Sequence, residues 1–270
     1  MKDLVLINHS AGKNILVDKY RIKNKDIDIA NFLAREEKLN EIFDGISQNV
    51  YMILGGDGTI LKAIGETAEE RVDYLPINFG TKGFLLNSRE AMENHGGFKR
   101  KSYPLLDIKV FTEKTEIQAK AFNEIAIKAT GAKMVDTDII VGEYSSINMR
   151  GDGLLISTPA GSTGYNRSAG GPLLPHNANT FIATGLNVFE PRGIRPIVFP
   201  NKQIVKVHKN NARKPELSIF ADDQTVLKNY RGDVDIIVQK SRLKVNFLIA
   251  NSYLKEFENK VYAEQGFVVN

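Results

Sequence analysis

Residues Gly55-Gly56-Asp57-Gly58-Thr59 place glycines, a carboxylate and a hydroxyl within five positions. The apolar run Val50-Tyr51-Met52-Ile53-Leu54 before them predicts a buried strand, and Ile60-Leu61-Lys62-Ala63-Ile64 after them predicts the first turns of a helix. A strand, a glycine-rich turn and a helix start form an anion site. Glycines let backbone N–H groups approach a phosphate, and the helix N-terminus adds a favourable dipole. Asp57 would repel that phosphate, so it reads as a proton acceptor, a hydroxyl-orienting group or a metal-linked group. The combination points to phosphoryl transfer onto an alcohol.

Three further constellations could contribute. Arg150-Gly151-Asp152-Gly153 leads into Leu154-Leu155-Ile156, and a loop rich in glycine and hydroxyls follows, with Ser157, Thr158, Ser162, Thr163, Gly164 and Tyr165. Such a loop suits a polyhydroxylated or phosphorylated ligand; a plain β-turn between strands is the alternative. Asn123-Glu124 lies between strand-like segments, where an amide and a carboxylate could hold a ribose or an adenine edge, or simply be exposed strand residues. Asn78-Phe79-Gly80-Thr81-Lys82-Gly83-Phe84-Leu85 reads as a turn, with Phe84 a core or domain-interface residue by default. His9, His95, His176 and His208 show no metal-ligand spacing. Neither the P-loop pattern G-x-x-x-x-G-K-[ST] nor the Rossmann pattern G-x-G-x-x-G occurs.

These residues need elements to position them. Leu4–Asn8, Val50–Leu54 and Leu75–Phe79 read as strands, with helices over Ile29–Ile46 and Ile60–Ala68. That alternation predicts an open parallel sheet whose ligands bind beyond the strand carboxyl ends. From Leu105 the period becomes two, as in Leu106–Val110, Ile204–His208, Leu217–Phe220 and Lys244–Leu248. The expected fold class is therefore α/β plus all-β: an N-terminal α/β domain over 1–99 with the glycine-rich loop, and a β-rich domain over 100–252. Residues 253–270 are expected to return to the first domain. The basic runs Lys99-Arg100-Lys101 and Lys202–Lys214 read as solvated loops.

Bulk composition narrows the classes. With 270 residues, 42% hydrophobic and 25% charged, the chain has an ordinary globular composition and length enough for a large core. The absence of cysteine excludes disulfides, thiolate metal sites and cysteine nucleophiles. The first apolar run is too short for a secretory signal, and no stretch reaches the length of a membrane span. A net charge of +4 is explained as well by anionic small molecules as by nucleic acid.

The order of Gly55–Thr59, Asn78…Leu85, Asn123-Glu124 and Gly151–Tyr165, followed by Gly170-Gly171-Pro172, closely resembles the NAD kinase family. The glycine-rich run alone also resembles that of diacylglycerol and sphingosine kinases and is related to that of phosphofructokinases; the Gly151–Tyr165 block separates them. The resemblance implies a two-domain kinase that moves a phosphoryl group from ATP or polyphosphate to the adenosine ribose 2′-hydroxyl of NAD, with Mg²⁺ or another divalent cation. It implies that Asp57 is the catalytic aspartate and that Gly55, Gly56, Gly58 and Thr59 hold the donor phosphates. Asn123 and Glu124 would hold the dinucleotide, with Phe84, Asp152, Ser162, Thr163, Gly164 and Tyr165 lining the pocket. Arg150 would lie near the phosphates, close to a neighbouring subunit. A lipid or sugar kinase and a non-catalytic dinucleotide-binding protein are the alternatives. The expected partners are NAD and ATP or polyphosphate, with neither nucleic acid nor membrane, in a cytoplasmic homodimer or homotetramer. Three departures stand out: Ala160 where many members carry Thr or Ser, Gly164 where Ala is usual, and Asp222-Asp223-Gln224 where the family has Asp-Gly-Gln.

Overall fold

The computed structural model describes residues 3–46, 48–131, 133–143, 146–209, 215–263 and 266. Along the chain run β1 (Leu4–Ser10), β2 (Lys13–Asp18), α1 (Lys19–Lys23), α2 (Ile27–Leu33), α3 (Glu36–Asp44), β3 (Val50–Gly55), α4 (Asp57–Thr67) and β4 (Asp73–Asn78). There follow β5 (Phe98–Phe111), β6 (Glu116–Ala121), β7 (Glu124–Ala129), β8 (Val135–Val141), β9 (Ile147–Gly151), β10 (Gly153–Ser157) and α5 (Tyr165–Ser168). The last elements are β11 (Thr180–Leu186), β12 (Ile197–Pro200), β13 (Val205–Lys209), β14 (Leu217–Ala221), β15 (Gln224–Tyr230), β16 (Val234–Ala250) and α6 (Leu254–Ala263). The chain divides into two compact units, Met1–Tyr103 with Leu243–Asn270, and Pro104–Arg242.

In the first unit β2, β3 and β4 are parallel neighbours. β3 is buried along its whole length, as a strand covered on both faces requires. α4 packs down Ile60, Ala63, Ile64 and Thr67, the spacing of one helix face. Three expectations change here. The parallel sheet gains an antiparallel edge, because β1 and β2 form a hairpin. The single helix expected over 29–46 is two, broken at Ala34-Arg35, where the Arg35 guanidinium takes the Glu93 carboxylate at 2.7 Å and Lys38 Nζ donates to the Glu93 carbonyl. The run Lys99-Arg100-Lys101 is no loop but part of β5. Arg100 reaches the buried Asp73 carboxylate at 2.6 Å, and Lys101 pairs with Glu258. A buried carboxylate needs donors, and Asp73 also accepts from Gln48 and Asn246.

The second unit is built almost wholly of antiparallel strands. One sheet runs β12-β11-β10-β7-β14-β15. Across from it lie the start of β16 with β13, β8 and β9, and the β5–β6 pair. Ile125, Ile127, Leu154 and Ile156 from the first sheet meet Ile108, Val135, Val207 and Ile236 from the other strands in one core. This is why the sequence period is two: each strand has one face in that core. The second basic run is also corrected. Val205–Lys209 is β13, and Lys209 is fully buried, its Nζ donating to the Arg231 and Gly232 carbonyls. Residues 210–214 of that run, and 264, 265 and 267–270 of the C-terminal segment, lie outside the described residues. Among the described residues no helix is long and apolar enough to cross a membrane.

Candidate active site

In the first unit the glycine-rich run is less of a loop than its composition suggests. Gly55 ends β3, Gly56 caps the helix in an extended conformation, and Asp57, Gly58 and Thr59 form the first turn of α4. Gly58 is exposed and Thr59 buried. The opening amides of a helix have no intrahelical acceptor, so those of Asp57 and Gly58 face outward as donors. The Asp57 carboxylate is fixed by the turn after β4: Oδ2 accepts from the Phe84 amide at 3.1 Å and Oδ1 from the Leu85 amide at 3.2 Å. Gly83 makes this turn possible, with φ +68 and a hydrogen where a Cβ would lie 2.5 Å from Asn78 Cγ. Phe79 N donates to Gly55 O at 2.8 Å, joining the turn to the end of β3. Phe84 itself is half-buried.

In the second unit Asn123 and Glu124 stand at the start of β7. Three successive amides, of Phe122, Asn123 and Glu124, donate to the Asp222 carboxylate at 2.7, 2.8 and 3.1 Å. Asp222 sits in the turn between β14 and β15 at φ +53. From the other side Thr158 N donates to Asn123 O at 2.9 Å, and Thr158 Oγ1 donates to Phe122 O at 2.7 Å. Gly161 lies directly on the Asn123 carbonyl, where any Cβ would clash. The backbone here is thus held on both sides, while Asn123 Oδ1 and Glu124 Oε2 are buried without a partner. Buried polar atoms are rarely left unpaired, and two side by side mark a place where a ligand completes the bonding.

The hydroxyl-rich loop is a 3₁₀ turn, Ala160–Thr163, followed by α5. Its hydroxyls mostly serve the loop. Ser162 is buried, with Oγ donating to Pro159 O at 2.7 Å, and Thr163 Oγ1 donates to Ala160 O at 3.4 Å. Gly164 lies beside Asn123 and Glu124. Tyr165 packs on Ala126, Leu155 and Leu186, with Lys128 Nζ 5.3 Å from its ring centre. Arg150 and Asp152 are elsewhere. β10 sets Ser157 opposite Glu124 but Gly153 opposite Lys128, so the strand separates the two groups by roughly 13 Å. There Arg150 lies over Phe189 and 3.8 Å from Asp136, and exposed Asp152 accepts from Asn187 at 2.8 Å. Among the described residues no group of three or more His, Asp or Glu is placed to hold a metal ion.

Burial, reinforced by the Asp222 charge, pushes Glu124 up to about 8. Burial also raises Asp222, to about 6, against the pull of its three amides. A carboxyl raised above its ordinary value binds its proton more tightly folded than unfolded. The Glu124 contribution is therefore fully present below the ordinary value of 4.5 and lost as pH rises toward about 8. Melting temperature is expected to fall across that window and to fall less in Glu124→Gln. Equal slopes in thermal melts of the two proteins would place the dependence on other groups.

A family model for the ATP-NAD kinase C-terminal domain matches residues 122–249. The NAD kinase of Wigglesworthia glossinidia brevipalpis is 31% identical over 249 residues, covering 86% of this chain and 82% of its own. The chain belongs to the NAD kinase family. NAD kinase 1 of Listeria monocytogenes serotype 4b is 30% identical, over 87% of this chain and 95% of its own. Among solved structures, an NAD kinase from Archaeoglobus fulgidus in complex with ATP is 26% identical, with TM-score 0.61 over 79% of this chain and 83% of that one. Yeast NADH kinase complexed with NADH shares the fold at 19% identity, with TM-score 0.70 over 84% of this chain and 69% of that one. Two departures from the NAD kinase pattern are mild. The space at Gly164 would admit the methyl of an alanine in ordinary contact, its nearest neighbour Gly161 O at 3.4 Å. Asp222 keeps its three amide bonds without the family's following glycine. In the sequence Asp222 stands out only as a departure from the family pattern; nothing local marks it as the residue that holds Asn123 and Glu124.

Proposed function

We propose that this chain transfers the terminal phosphoryl group of ATP, or of inorganic polyphosphate, to the adenosine ribose 2′-hydroxyl of NAD, giving NADP. Family membership supports the reading, and the observation that carries it is the Asp57 carboxylate. Each of its oxygens spends one acceptor site on an amide and keeps another for a hydroxyl proton. Phosphoryl transfer has a loose transition state, so aiming the attacking oxygen and stabilising charge do most of the work. Asp57 aims the hydroxyl and takes its proton as the oxygen bonds to the terminal phosphorus and the bond to the departing ADP, or shortened polyphosphate, breaks. The outward amides of Asp57 and Gly58 and the dipole of α4 bind donor phosphate.

Mg²⁺ or another divalent cation would neutralise charge on those phosphates. With no three-residue carboxylate or histidine cluster among the described residues, the donor set fits a cation carried mainly by phosphate oxygens and water. Asn123 and Glu124 bind the dinucleotide through their unpaired oxygens. Incubation with NAD, ATP and Mg²⁺, followed by an NADP-specific assay, tests the reading. Retained NAD binding with no NADP from either donor would leave a dinucleotide-binding protein.

Asn123→Ala removes a contact common to ground and transition states, so KM for NAD is expected to rise by about tenfold with kcat nearly unchanged. Steady-state kinetics decide this, and an effect confined to kcat would overturn the binding role. The second unit carries an apolar groove of about 320 Å³ lined by Ile139, Ile147, Met149, Ile194 and Val198, with Ile147 and Val198 exposed. Such a patch supports a homodimer or homotetramer. Light scattering is expected to give a multiple of 30.1 kDa. A constant single-chain mass in an active preparation would rule that out.

A further inference from the structure

We propose that Lys260 is a positioning residue for Asp57, its ammonium gripping the turn whose amides hold the Asp57 carboxylate. The inference rests on the reading of Asp57 as the group that aims the hydroxyl. Lys260 Nζ donates to Gly83 O at 2.7 Å and to Leu86 O at 2.8 Å. Between those carbonyls lie the Phe84 and Leu85 amides that donate to Asp57. The Gly83 carbonyl and the Phe84 N–H are opposite ends of one planar peptide group. A cation on the oxygen polarises that group and makes its N–H a stronger donor. The ammonium therefore acts on Asp57 through a single peptide unit, and it also closes the turn, in which Leu86 N donates to Gly83 O at 3.4 Å.

The lysine is held in place by aromatic rings of its own C-terminal segment, with Nζ 4.9 Å from the Tyr253 ring centre and 5.5 Å from that of Phe257. The charged and titratable groups facing it are Asp57 from α4, Glu256 from α6 and the Tyr253 phenol. Burial lowers the ammonium to about 8, and the carboxylates of Asp57 and Glu256 only partly restore it. Its charge is thus present at neutral pH and lost on the alkaline side. The turn then has a weaker grip on Asp57.

The test is the pH dependence of kcat for NAD phosphorylation in the parent, Lys260→Arg, Lys260→Met and Asp57→Asn proteins, with thermal melts as a check of folding. In the parent kcat is expected to decline above about pH 8. In Lys260→Arg the guanidinium stays charged, so that decline should move out of range while neutral-pH kcat stays within about threefold. In Lys260→Met kcat should fall by roughly 10- to 100-fold with KM for NAD little changed. A methionine variant with parental kcat, or an arginine variant that keeps the decline near pH 8, would overturn the proposal. Should the methionine variant not fold, the arginine profile decides alone. A fully active Asp57→Asn protein would sink the reading of Asp57 and the Lys260 role with it. An inactive Asp57→Asn beside an active Lys260→Met would sink the Lys260 role only.

Discussion

Asp57→Asn is expected to lower turnover by on the order of 10²–10⁴ while NAD still binds. The substitution is nearly isosteric, so the first turn of α4 is preserved. It removes the negative charge and replaces one carboxylate oxygen with an NH₂ group that cannot accept from the Phe84 or Leu85 amide. One amide loses its partner, and the oxygen that remains is a poor proton acceptor. The loss belongs to the chemical step, so it appears in kcat and not in the dissociation constant for NAD. Single-turnover rates with saturating NAD and ATP, together with calorimetric NAD binding, separate the two. Turnover within a few-fold of the parent would remove Asp57 from the reaction.

Asp222→Ala is the second large effect, and it acts on binding and stability together. The side chain is half-buried and accepts from the amides of Phe122, Asn123 and Glu124. Its removal leaves those donors to water or to nothing, at a cost of about 3 kcal/mol or more. Alanine also tolerates the left-handed conformation at φ +53 less well than aspartate. Freed from Asp222, the strand start drifts and carries the side chains of Asn123 and Glu124 with it. KM for NAD is then expected to rise by about tenfold or more. Asp222→Asn keeps one acceptor oxygen and tolerates the backbone, so its losses should be about half as large in free energy. Denaturant melts and NAD titrations of both variants check the order. An alanine variant as stable as the parent would mean that the three amides find other partners.

The local sequence determined a good deal. A fully apolar run before the glycines made Val50–Gly55 a buried strand, and the spacing of Ile60, Ala63 and Ile64 made the next segment a helix. Alternation from Leu106 onward made the second unit a sandwich of antiparallel strands. These features are legible because a strand or helix face repeats at a fixed period, and burial selects one residue type at that period. The glycine-rich run was legible for a similar reason: few segments other than a tight strand-to-helix turn need such residues in that order.

Tertiary structure decided the rest. The break at Ala34-Arg35 coincides with ion pairing to Glu93, which is 58 residues away. The run Lys99-Arg100-Lys101 reads as solvated charge until Asp73 is found buried beside it. Asp222 reaches the start of β7 across about a hundred residues, and Lys260 reaches the Asp57 turn from 177 residues beyond Gly83. None of these pairs leaves a periodic trace, because a hydrogen bond between distant residues joins two positions and sets no repeat along the chain. Local residue pattern dictates which faces are buried and which turn could bind phosphate. Which carboxylate is held, by which amides, and with which cation behind them, was decided only when distant segments packed together.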